Sequence, residues 1–426
     1  MFLLSHPTGN TYVRNDLRAL NDTGLLWRYV TALGFSSESA ILGLPMPVAL
    51  RNELSRRVYD LPKDLVIEHP CREIMRLAAG RLGLESLARH ETGWASVDAV
   101  FHDLDRATAT LIEQASKSSS PARAVITYED GAELSLQTAR EAGWLGVYHL
   151  PIAYGPFARR IYMEEAERLP SWAQTIQGDR DSPEKIARKV REASLASIII
   201  CPSRFVLESL PRNISETRPC HVIPYGAPPV PTAPDSRNNN GTTIPLRLLF
   251  AGALSQRKGL GDLFEAMRLL GRTKEVELVL LGSLCAPMEF YRSQGVPFTY
   301  ETPRPNDAFL ELMQSCDVLA LPSLVEGRAI VQLEALSRGL PLLVTPNAGG
   351  DDLVIEGRTG FLVPARNPTA LAEKIAWLLD NRTALPSMRE ACHERARAVS
   401  WESYRVRLIQ VLLAALSPAQ TISAKA

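Results

Sequence analysis

The sequence predicts an α/β protein of two doubly wound domains that face each other across a cleft. The chain has 426 residues, whereas single cores rarely grow beyond ~250–300 residues. Short apolar runs alternate with helical patterns along the chain, which is typical of parallel sheets. A segment dense in Pro, Asn, Gly and Thr at 224–245 interrupts this alternation and is typical of an interdomain linker.

The first predicted domain spans residues 1–223. Its apolar segments favour strands, and they read "MFLLS", "ARAVITYED", "GWLGVYHLP", "ASIIICPSRF" and "CHVIPYG". Residues 35–120 are richer in charge and in helical periodicity, so we expect helices there that decorate this domain.

The second predicted domain, 246–398, alternates more cleanly. Its strand patterns are "LRLLFAG", "VELVLLGS", "DVLALPS" and "PLLVTP", and its helix patterns are "LGDLFEAMRLLG", "DAFLELMQSC" and "VQLEALSRG". A last amphipathic helix at 399–417 precedes a polar tail at 418–426 that we expect to be disordered. Because doubly wound sheets bind ligands at the carboxyl ends of their strands, the cleft is the expected site.

Composition excludes several classes of protein. Lys plus Arg equals Asp plus Glu at 47 each, so no global basic field favours nucleic acid. The six cysteines are scattered without a C-x-x-C pair, as expected of reduced thiols. The N-terminus lacks the pattern of a signal peptide, and no run of about 18 apolar residues is present. We therefore expect a soluble, cytoplasmic protein. No G-x-G-x-x-G opens either domain, which disfavours a dinucleotide dehydrogenase.

Two carboxylates stand in the mostly apolar segment "LPSLVEGRAIVQLEALSRGLPLLVT", 321–345. Glu326 follows a predicted strand, and Gly327 allows the backbone to approach a ligand closely. Glu334 comes two helical turns later, ~10–12 Å away along the axis. A single ligand with polar groups at both ends could reach both. The alternative is that Glu326 caps its own helix and Glu334 faces solvent or pairs with Arg338.

The turn between these glutamates is predicted to form a helix N-terminus. Such an end offers backbone N–H donors and a partial positive charge to an anion or a hydroxyl group. The residues expected to contribute these amides are Gly327, Arg328, Ala329 and Ile330.

The same segment resembles the donor-binding signature of retaining glycosyltransferases of the two-domain GT-B type, especially glycosyltransferase family 4. Pro-Ser, Glu-Gly, Glu-Ala and Gly-x-Pro all stand at the family's spacing. The resemblance implies two Rossmann-like domains. It also implies that Glu326 binds hydroxyls of the transferred sugar, while Glu334 binds the ribose hydroxyls of the nucleotide.

The segment "FAGALSQRKGLGDLFEA", 250–266, resembles the first loop of the family's C-terminal domain. Gly252 ends a strand there, and Arg257 and Lys258 would stabilise a departing diphosphate without a metal. Many members carry Arg where this chain has Ala253, so the role passes to that pair. The alternative is a solvated basic turn. Gly282 ends the next strand, where the family's backbone approaches the nucleotide.

An acidic pair, Asp351 and Asp352, stands in the segment that resembles the family's closing motif. Two adjacent carboxylates suggest a metal, but no third ligand is evident nearby. We expect a helix N-cap there instead.

The first domain is expected to bring the acceptor. By resemblance, Gly9 lies near the donor phosphates and Asn10 near the acceptor. His149 in "VYHLP" is expected to contact donor sugar and acceptor or to relay a proton, because imidazole titrates near physiological pH. A structural histidine bonded to the backbone is the alternative. Glu129 and Asp130 would bind acceptor hydroxyls or act as the base.

The resemblance thus implies a retaining, metal-independent transferase with His149, Glu326, Lys258 and Arg257 as catalytic residues. It needs no cofactor and takes a UDP- or GDP-linked sugar to a sugar, glycan or lipid-linked acceptor, in bacterial polysaccharide, glycolipid or glycoconjugate synthesis. A nucleotide-sugar epimerase and a non-catalytic GT-B binding protein remain alternatives. Arg and apolar residues mix between 50 and 90, so peripheral contact with the inner face of the membrane, through Arg56 and Arg57, is a further hypothesis.

Overall fold

Two parallel sheets organise the chain in the computed structural model, which describes residues 1–36, 54, 57–80, 82–176, 181–232 and 245–416. The predicted fold class, two Rossmann-like domains, is confirmed. Residues 233–244 of the predicted linker, the polar tail 418–426 and Arg56 lie outside the described residues.

The first sheet has seven strands in the order β5-β2-β1-β6-β7-β8-β9. Strand β1 lies inside the sheet between β2 and β6, and Phe2, Leu3 and Leu4 are fully buried in it, which explains why "MFLLS" is apolar without alternation. The bounds are β1 Phe2–Ser5, β2 Leu26–Thr31, β5 Val66–Glu68, β6 Ala124–Tyr128, β7 Leu145–His149, β8 Ile198–Cys201 and β9 Cys220–Val222, with a separate pair β3 Phe35–Ser36 and β4 Val58–Tyr59.

Helices cover this sheet. The expectation of helices between 35 and 120 is confirmed by Cys71–Ala79 and Val97–Ser116, the two longest elements described in that region. The bounds are α1 Thr11–Asp22, α2 Cys71–Ala79, α3 Val97–Ser116, α4 Glu133–Glu141, α5 Gly155–Arg168, α6 Pro183–Leu195, α7 Arg204–Ser209 and α8 Arg212–Ser215. The same region also holds β3, β4 and β5, which the sequence did not reveal because each has only two or three residues.

The second sheet has six strands in the order β12-β11-β10-β13-β14-β15. Every strand predicted in this domain is present. The bounds are β10 Leu246–Ala251, β11 Val276–Leu281, β12 Thr299–Glu301, β13 Val318–Leu321, β14 Leu342–Val344 and β15 Gly360–Leu362.

The helices of this half and the C-terminal helix are α9 Leu260–Leu270, α10 Met288–Arg292, α11 Asn306–Gln314, α12 Ile330–Ser337, α13 Pro368–Asp380, α14 Leu385–Ala398 and α15 Trp401–Leu416. Helix α14 was not predicted. Its buried side includes Leu385, Met388, Cys392 and Ala396 at spacings of three and four, but charged residues between them obscure this stripe.

Direct contacts join the two halves of the chain. Helix α15 returns to α1, where the Tyr404 hydroxyl donates to Asp16 at 2.6 Å. The Arg168 guanidinium donates to both carboxylate oxygens of Asp262 at 2.8 and 2.7 Å. No helix in the described part of the chain is both long enough and apolar enough to cross a bilayer.

Candidate active site

A cavity of about 590 Å³ opens between the two sheets, at the carboxyl ends of β10, β11 and β13. Most of the predicted donor residues line it. They are Gly252, Lys258, Gly282, Glu326, Gly327, Arg328, Ala329 and Ile330. The first domain contributes Tyr12, Pro151 and Ile152 to the opposite wall, and the start of the predicted linker contributes Tyr225.

The centre of the donor side is an ion cluster on Glu326. The Lys258 ammonium contacts the Glu326 carboxylate, and Arg257 Nη1 lies 3.0 Å from the same oxygen, Oε1. Glu326 and Lys258 are only 8% and 9% exposed. Burial raises the pKa of Glu326, but the charges of Lys258 and Arg257 outweigh it and hold the pKa below its ordinary value. Glu326 is therefore ionised, and neither cation belongs to a solvated turn.

Glycines bring the backbone of this site together. Gly282 has a φ of +150°, and a Cβ there would lie 1.7 Å from the carbonyl oxygen of Gly252. Gly327 is packed against the other domain, because a Cβ would lie 1.7 Å from the Pro151 carbonyl oxygen. The Ser203 hydroxyl, also from the first domain, donates to the Gly327 carbonyl at 2.5 Å. The loop 326–329, the predicted donor loop, is thus an interdomain contact.

The predicted helix N-terminus begins later than expected. Helix α12 starts at Ile330 and its N-cap is Ala329, which makes no side-chain cap, so Glu326 does not cap this helix. The Ala329 amide donates to the Ala348 carbonyl at 3.1 Å, so it is already engaged within the protein. Of the predicted amide donors, Ile330 lies in the first turn and lines the cavity.

The Arg328 side chain is bonded within the protein and is not free to bind a ligand. Its guanidinium donates to both oxygens of Asp352, at 2.6 and 3.1 Å, and to the Gly349 carbonyl at 3.1 Å. Asp351 and Asp352 lie within a short 3₁₀ helix, Asp351–Leu353, whose N-cap is Gly350 without a side-chain cap, so the expected N-cap role of Asp351 and Asp352 is wrong. Asp352 has a different role. Its carboxylate instead neutralises a buried arginine.

Glu334 lies on α12 one turn after Ile330, and it is half-buried. Glu334 is not among the described residues that line the cavity, although Ile330 and Val331 on the same helix do line it. Burial raises the pKa of Glu334 to about 7, and the nearby Arg338 opposes this shift. Glu334 therefore changes charge near neutral pH.

His149 ends β7 and is 2% exposed. Burial, with a smaller contribution from His6, lowers the pKa of His149 to about 3. The expectation that this imidazole titrates near physiological pH is wrong, because burial disfavours the charged ring. Its Nε2 has no hydrogen-bond partner among the described residues, so that nitrogen does not make the backbone bond of the alternative interpretation.

Glu129 and Asp130 follow β6 and are already paired with cations. Lys189 Nζ lies 3.3 Å from Glu129, and the Arg188 guanidinium donates to Asp130 at 3.0 Å. Burial raises the pKa of Glu129 to about 7, and Lys189 opposes the shift. Burial raises the pKa of Tyr162, and the negative charges of Glu326 and Glu129 add to this shift.

Gly9 and Asn10 serve the local fold of the first loop. A Cβ on Gly9 would lie 2.3 Å from the ring of Tyr59. The Asn10 side chain accepts from the Val13 amide at 3.1 Å and caps α1. Neither residue is among the described residues that line the cavity.

Sequence reasoning missed several wall residues of the cavity. Tyr12 and Tyr225 stack with ring centroids 4.9 Å apart, and both line it. Arg304, which pairs with Glu301, and Phe309 line it beside Gly282. Tyr12 stands in the segment that carries Gly9, and Tyr225 stands in the predicted linker. No local pattern marks these positions, because only the fold brings them together.

One cluster with possible metal ligands occurs in the described residues, and sequence spacing gave no hint of it. Its atoms belong to His90, Glu91 and Asp181, with His90 Nε2 at 3.3 Å from Glu91 and 3.4 Å from Asp181. Lys185 and Lys189 also pair with Asp181. Arg57, proposed for membrane contact, is buried and pairs with Glu73, so it is not available to lipid.

Two facing parallel sheets with a ligand-sized cavity between their carboxyl edges define the GT-B class of fold. Solved structures agree. Sucrose-phosphate synthase from Thermosynechococcus elongatus covers 97% of this chain and 98% of its own, with a TM-score of 0.64 and 17% identity. The Anabaena protein Alr3699/HepE in complex with UDP and glucose covers 97% and 99%, with a TM-score of 0.58 and 15% identity.

Sequence comparison gives a similarity to one family over the second half of the chain. Residues 232–399 match the family "Glycosyl transferases group 1". The D-inositol 3-phosphate glycosyltransferase of Corynebacterium glutamicum is 25% identical over 295 residues, which are 63% of this chain and 68% of the relative. Residues 232–399 are therefore similar to the glycosyl transferases of group 1, and the chain as a whole has a GT-B fold.

Proposed function

We propose that the protein is a retaining, metal-independent glycosyltransferase that moves a sugar from a nucleoside-diphosphate sugar to an acceptor hydroxyl. The ion cluster of Arg257 and Lys258 on Glu326 carries this proposal, because Lys258 and Glu326 line the interdomain cavity and Arg257 lies directly behind them on the same carboxylate oxygen. A diphosphate leaving group needs fixed positive charge, and a sugar needs a fixed acceptor for its hydroxyls. This cluster supplies both at one place.

The donor is proposed to lie along the second domain. The diphosphate faces Lys258, Arg257 and the first turn of α12, where N–H groups and the helix dipole favour anions. Glu326 accepts hydrogen bonds from the transferred sugar. The nucleoside extends past Gly282 towards Arg304, and Glu334 at the edge of this wall accepts from the ribose hydroxyls.

Transfer follows from this placement. The bond between the anomeric carbon and the diphosphate oxygen breaks, while a new bond forms to the acceptor oxygen on the same face of the sugar. The acceptor proton passes to the leaving phosphate oxygen, so the first domain need not supply a strong base. His149 would hold a hydroxyl as a neutral imidazole, since a pKa of about 3 makes it a poor proton acceptor at neutral pH.

The acceptor is proposed to approach from the first domain, where Glu129 and Asp130 lie. A relative is named for inositol phosphate and solved neighbours for sucrose phosphate and for UDP with glucose. These names support a UDP-linked donor, with GDP as the alternative, and a polyol, sugar or glycan acceptor. Bacterial polysaccharide, glycolipid or glycoconjugate synthesis in the cytoplasm is the proposed setting, with or without peripheral membrane contact.

Thermal unfolding with UDP, GDP, ADP and their sugars, in EDTA, tests the proposal. A ligand present at 100 times its Kd stabilises the native state by about 2.7 kcal/mol. We expect one nucleotide to raise Tm, and we expect Glu334→Ala to reduce that shift. Glu208→Ala is the matched control, because Glu208 pairs with Arg204 at the surface of the first domain. Retention would then be checked from the anomeric configuration of the product by NMR.

Two results would overturn parts of this proposal. No shift with any nucleotide would refute the donor site and favour a non-catalytic GT-B binding protein. A shift that requires Mg²⁺ or Mn²⁺ would refute metal independence while leaving the donor site in place.

A further inference from the structure

Asp16 is a completely buried carboxyl group in the middle of α1. Its Oδ2 accepts from the Tyr128 hydroxyl at 2.5 Å, and its Oδ1 accepts from the Tyr404 hydroxyl at 2.6 Å. These tyrosines come from β6 and from the returning helix α15. The carboxyl group thus joins three elements that are distant in sequence.

Both oxygens of Asp16 act as acceptors, which is the pattern of an ionised carboxylate. Burial raises the pKa of Asp16 to about 7, and the two tyrosine hydrogen bonds oppose the shift. A buried charge costs several kcal/mol of solvation unless it is well hydrogen-bonded. An apolar residue of similar size would fill the position at a lower cost, so packing alone does not account for an aspartate here.

The imidazole of His149 lies beside this carboxylate and has an unsatisfied nitrogen. Its Nε2 is buried, has no hydrogen-bond partner among the described residues, and lies 3.9 Å from Asp16 Oδ2. Because His149 is neutral, one ring nitrogen carries the proton and the other is an acceptor. A gap of 3.9 Å is too long for a hydrogen bond, but such contacts are often long in unliganded enzymes and tighten on binding.

We infer that Asp16 is a positioning residue: its carboxylate keeps the His149 proton on Nε2 and leaves Nδ1 as the acceptor for a substrate hydroxyl. The chain runs from His149 through Leu150 to Pro151 and Ile152, which line the cavity. The functional half of this inference rests on the proposed transferase activity, whereas the tautomer itself does not. Tyr404 makes the arrangement depend on the docking of α15.

The ¹⁵N NMR spectrum of protein labelled at histidine measures the tautomer directly, at pH 8, where Asp16 is ionised. His149→Gln assigns the signal. We expect the wild-type ring to carry its proton on Nε2. Asp16→Asn replaces the charged acceptor with a neutral amide, and we expect the population protonated at Nδ1 to rise roughly five- to tenfold. Asp105→Asn is the control, because Asp105 is a buried carboxylate bonded to Ser135 instead.

A wild-type ring protonated at Nδ1 would overturn the inference, and so would an unchanged tautomer in Asp16→Asn. The wild-type tautomer alone tests the inference if Asp16→Asn does not fold. With the nucleotide sugar found by thermal unfolding, Asp16→Asn should lower kcat at least tenfold with unchanged nucleotide affinity. Equal losses of both would indicate a structural role and refute positioning. Failure of every nucleotide to bind would refute the transferase proposal and leave the tautomer result standing.

Discussion

Glu326→Gln should bind the free nucleoside diphosphate more tightly than the wild type, although it should lose sugar transfer. In the unliganded protein, Arg257 and Lys258 share one carboxylate oxygen of Glu326. That carboxylate weakens their attraction for a second anion. Glutamine keeps the shape of the side chain and removes its charge, so both cations become available to the diphosphate.

The size of the effect follows from the distances. Arg257 lies 3.0 Å from Glu326 Oε1, and a phosphate on the far side of the guanidinium would lie about 6 Å from the carboxylate. Repulsion between two unit charges at that distance is about 3 kcal/mol at an effective dielectric constant of 20. Relaxation and solvent reduce this to about 1–2 kcal/mol. Binding of the diphosphate should therefore tighten roughly five- to thirtyfold.

The nucleotide sugar should not gain in the same way. Its hydroxyl groups lose a charge-assisted hydrogen bond worth about 1.5–3 kcal/mol, which offsets the electrostatic relief. Calorimetric titration of both ligands into both proteins, well below Tm, measures the ratio of the two affinities. We expect this ratio to shift at least about tenfold towards the free diphosphate.

Glu334→Gln provides the control, because both ligands contain the ribose that Glu334 is proposed to bind. It should weaken both ligands by the same factor. If Glu326→Gln also weakens both equally, the carboxylate does not compete with the diphosphate for these cations, and the proposed division of roles is wrong.

Two further predictions concern pH and the interdomain contact. Because the pKa of Glu334 is raised to about 7, its ionised, accepting form appears above that pH, so nucleotide affinity should rise about tenfold from pH 6 to pH 8. Titrations of nucleotide at both pH values should show that the rise in affinity is lost in Glu334→Gln. An equal rise in the wild type and the variant would contradict the proposed role of Glu334. Gly327→Ala should lower stability by about 2–4 kcal/mol and abolish nucleotide binding, because its Cβ would meet the Pro151 carbonyl at 1.7 Å. Denaturant unfolding measures the loss of stability, with Gly80→Ala as the control because a Cβ there meets no atom within 4 Å. Equal stabilities of the two variants would show that the domain interface adjusts to the added Cβ and would contradict the prediction.

The sequence was sufficient where the physical cause is local. The four predicted strands of the second domain, β10, β11, β13 and β14, are short apolar runs that end at turns, so composition indicates them, whereas the three-residue strands β12 and β15 were not predicted. Glu326 and Lys258 could be placed in one site because each follows a strand of the same parallel sheet, and such ends share an edge.

The remainder depends on contacts between distant segments. The sequence around Asp16 is that of an ordinary amphipathic helix. Its burial depends on packing against distant segments, which include Tyr128 and Tyr404. The helix after Glu326 starts at Ile330 because the Ala329 amide is taken by Ala348. The pKa of His149 falls because the first sheet excludes water from the end of β7, which no spacing in the chain reveals.

The donor loop and the domain interface are the same piece of backbone, and this constrains how the enzyme can close. The Gly327 carbonyl accepts a hydrogen bond from Ser203, and the Gly327 Cα packs against Pro151. The preceding residue, Glu326, is the centre of the ion cluster. A change in the angle between the domains therefore moves Glu326 relative to the first domain through one peptide unit. Closure that excludes water would at the same time set the position of Glu326, the proposed sugar-binding carboxylate, against the proposed acceptor side. Transfer should for this reason be more sensitive to substitution of Ser203 than diphosphate binding is, because Arg257 and Lys258 belong to the second domain alone.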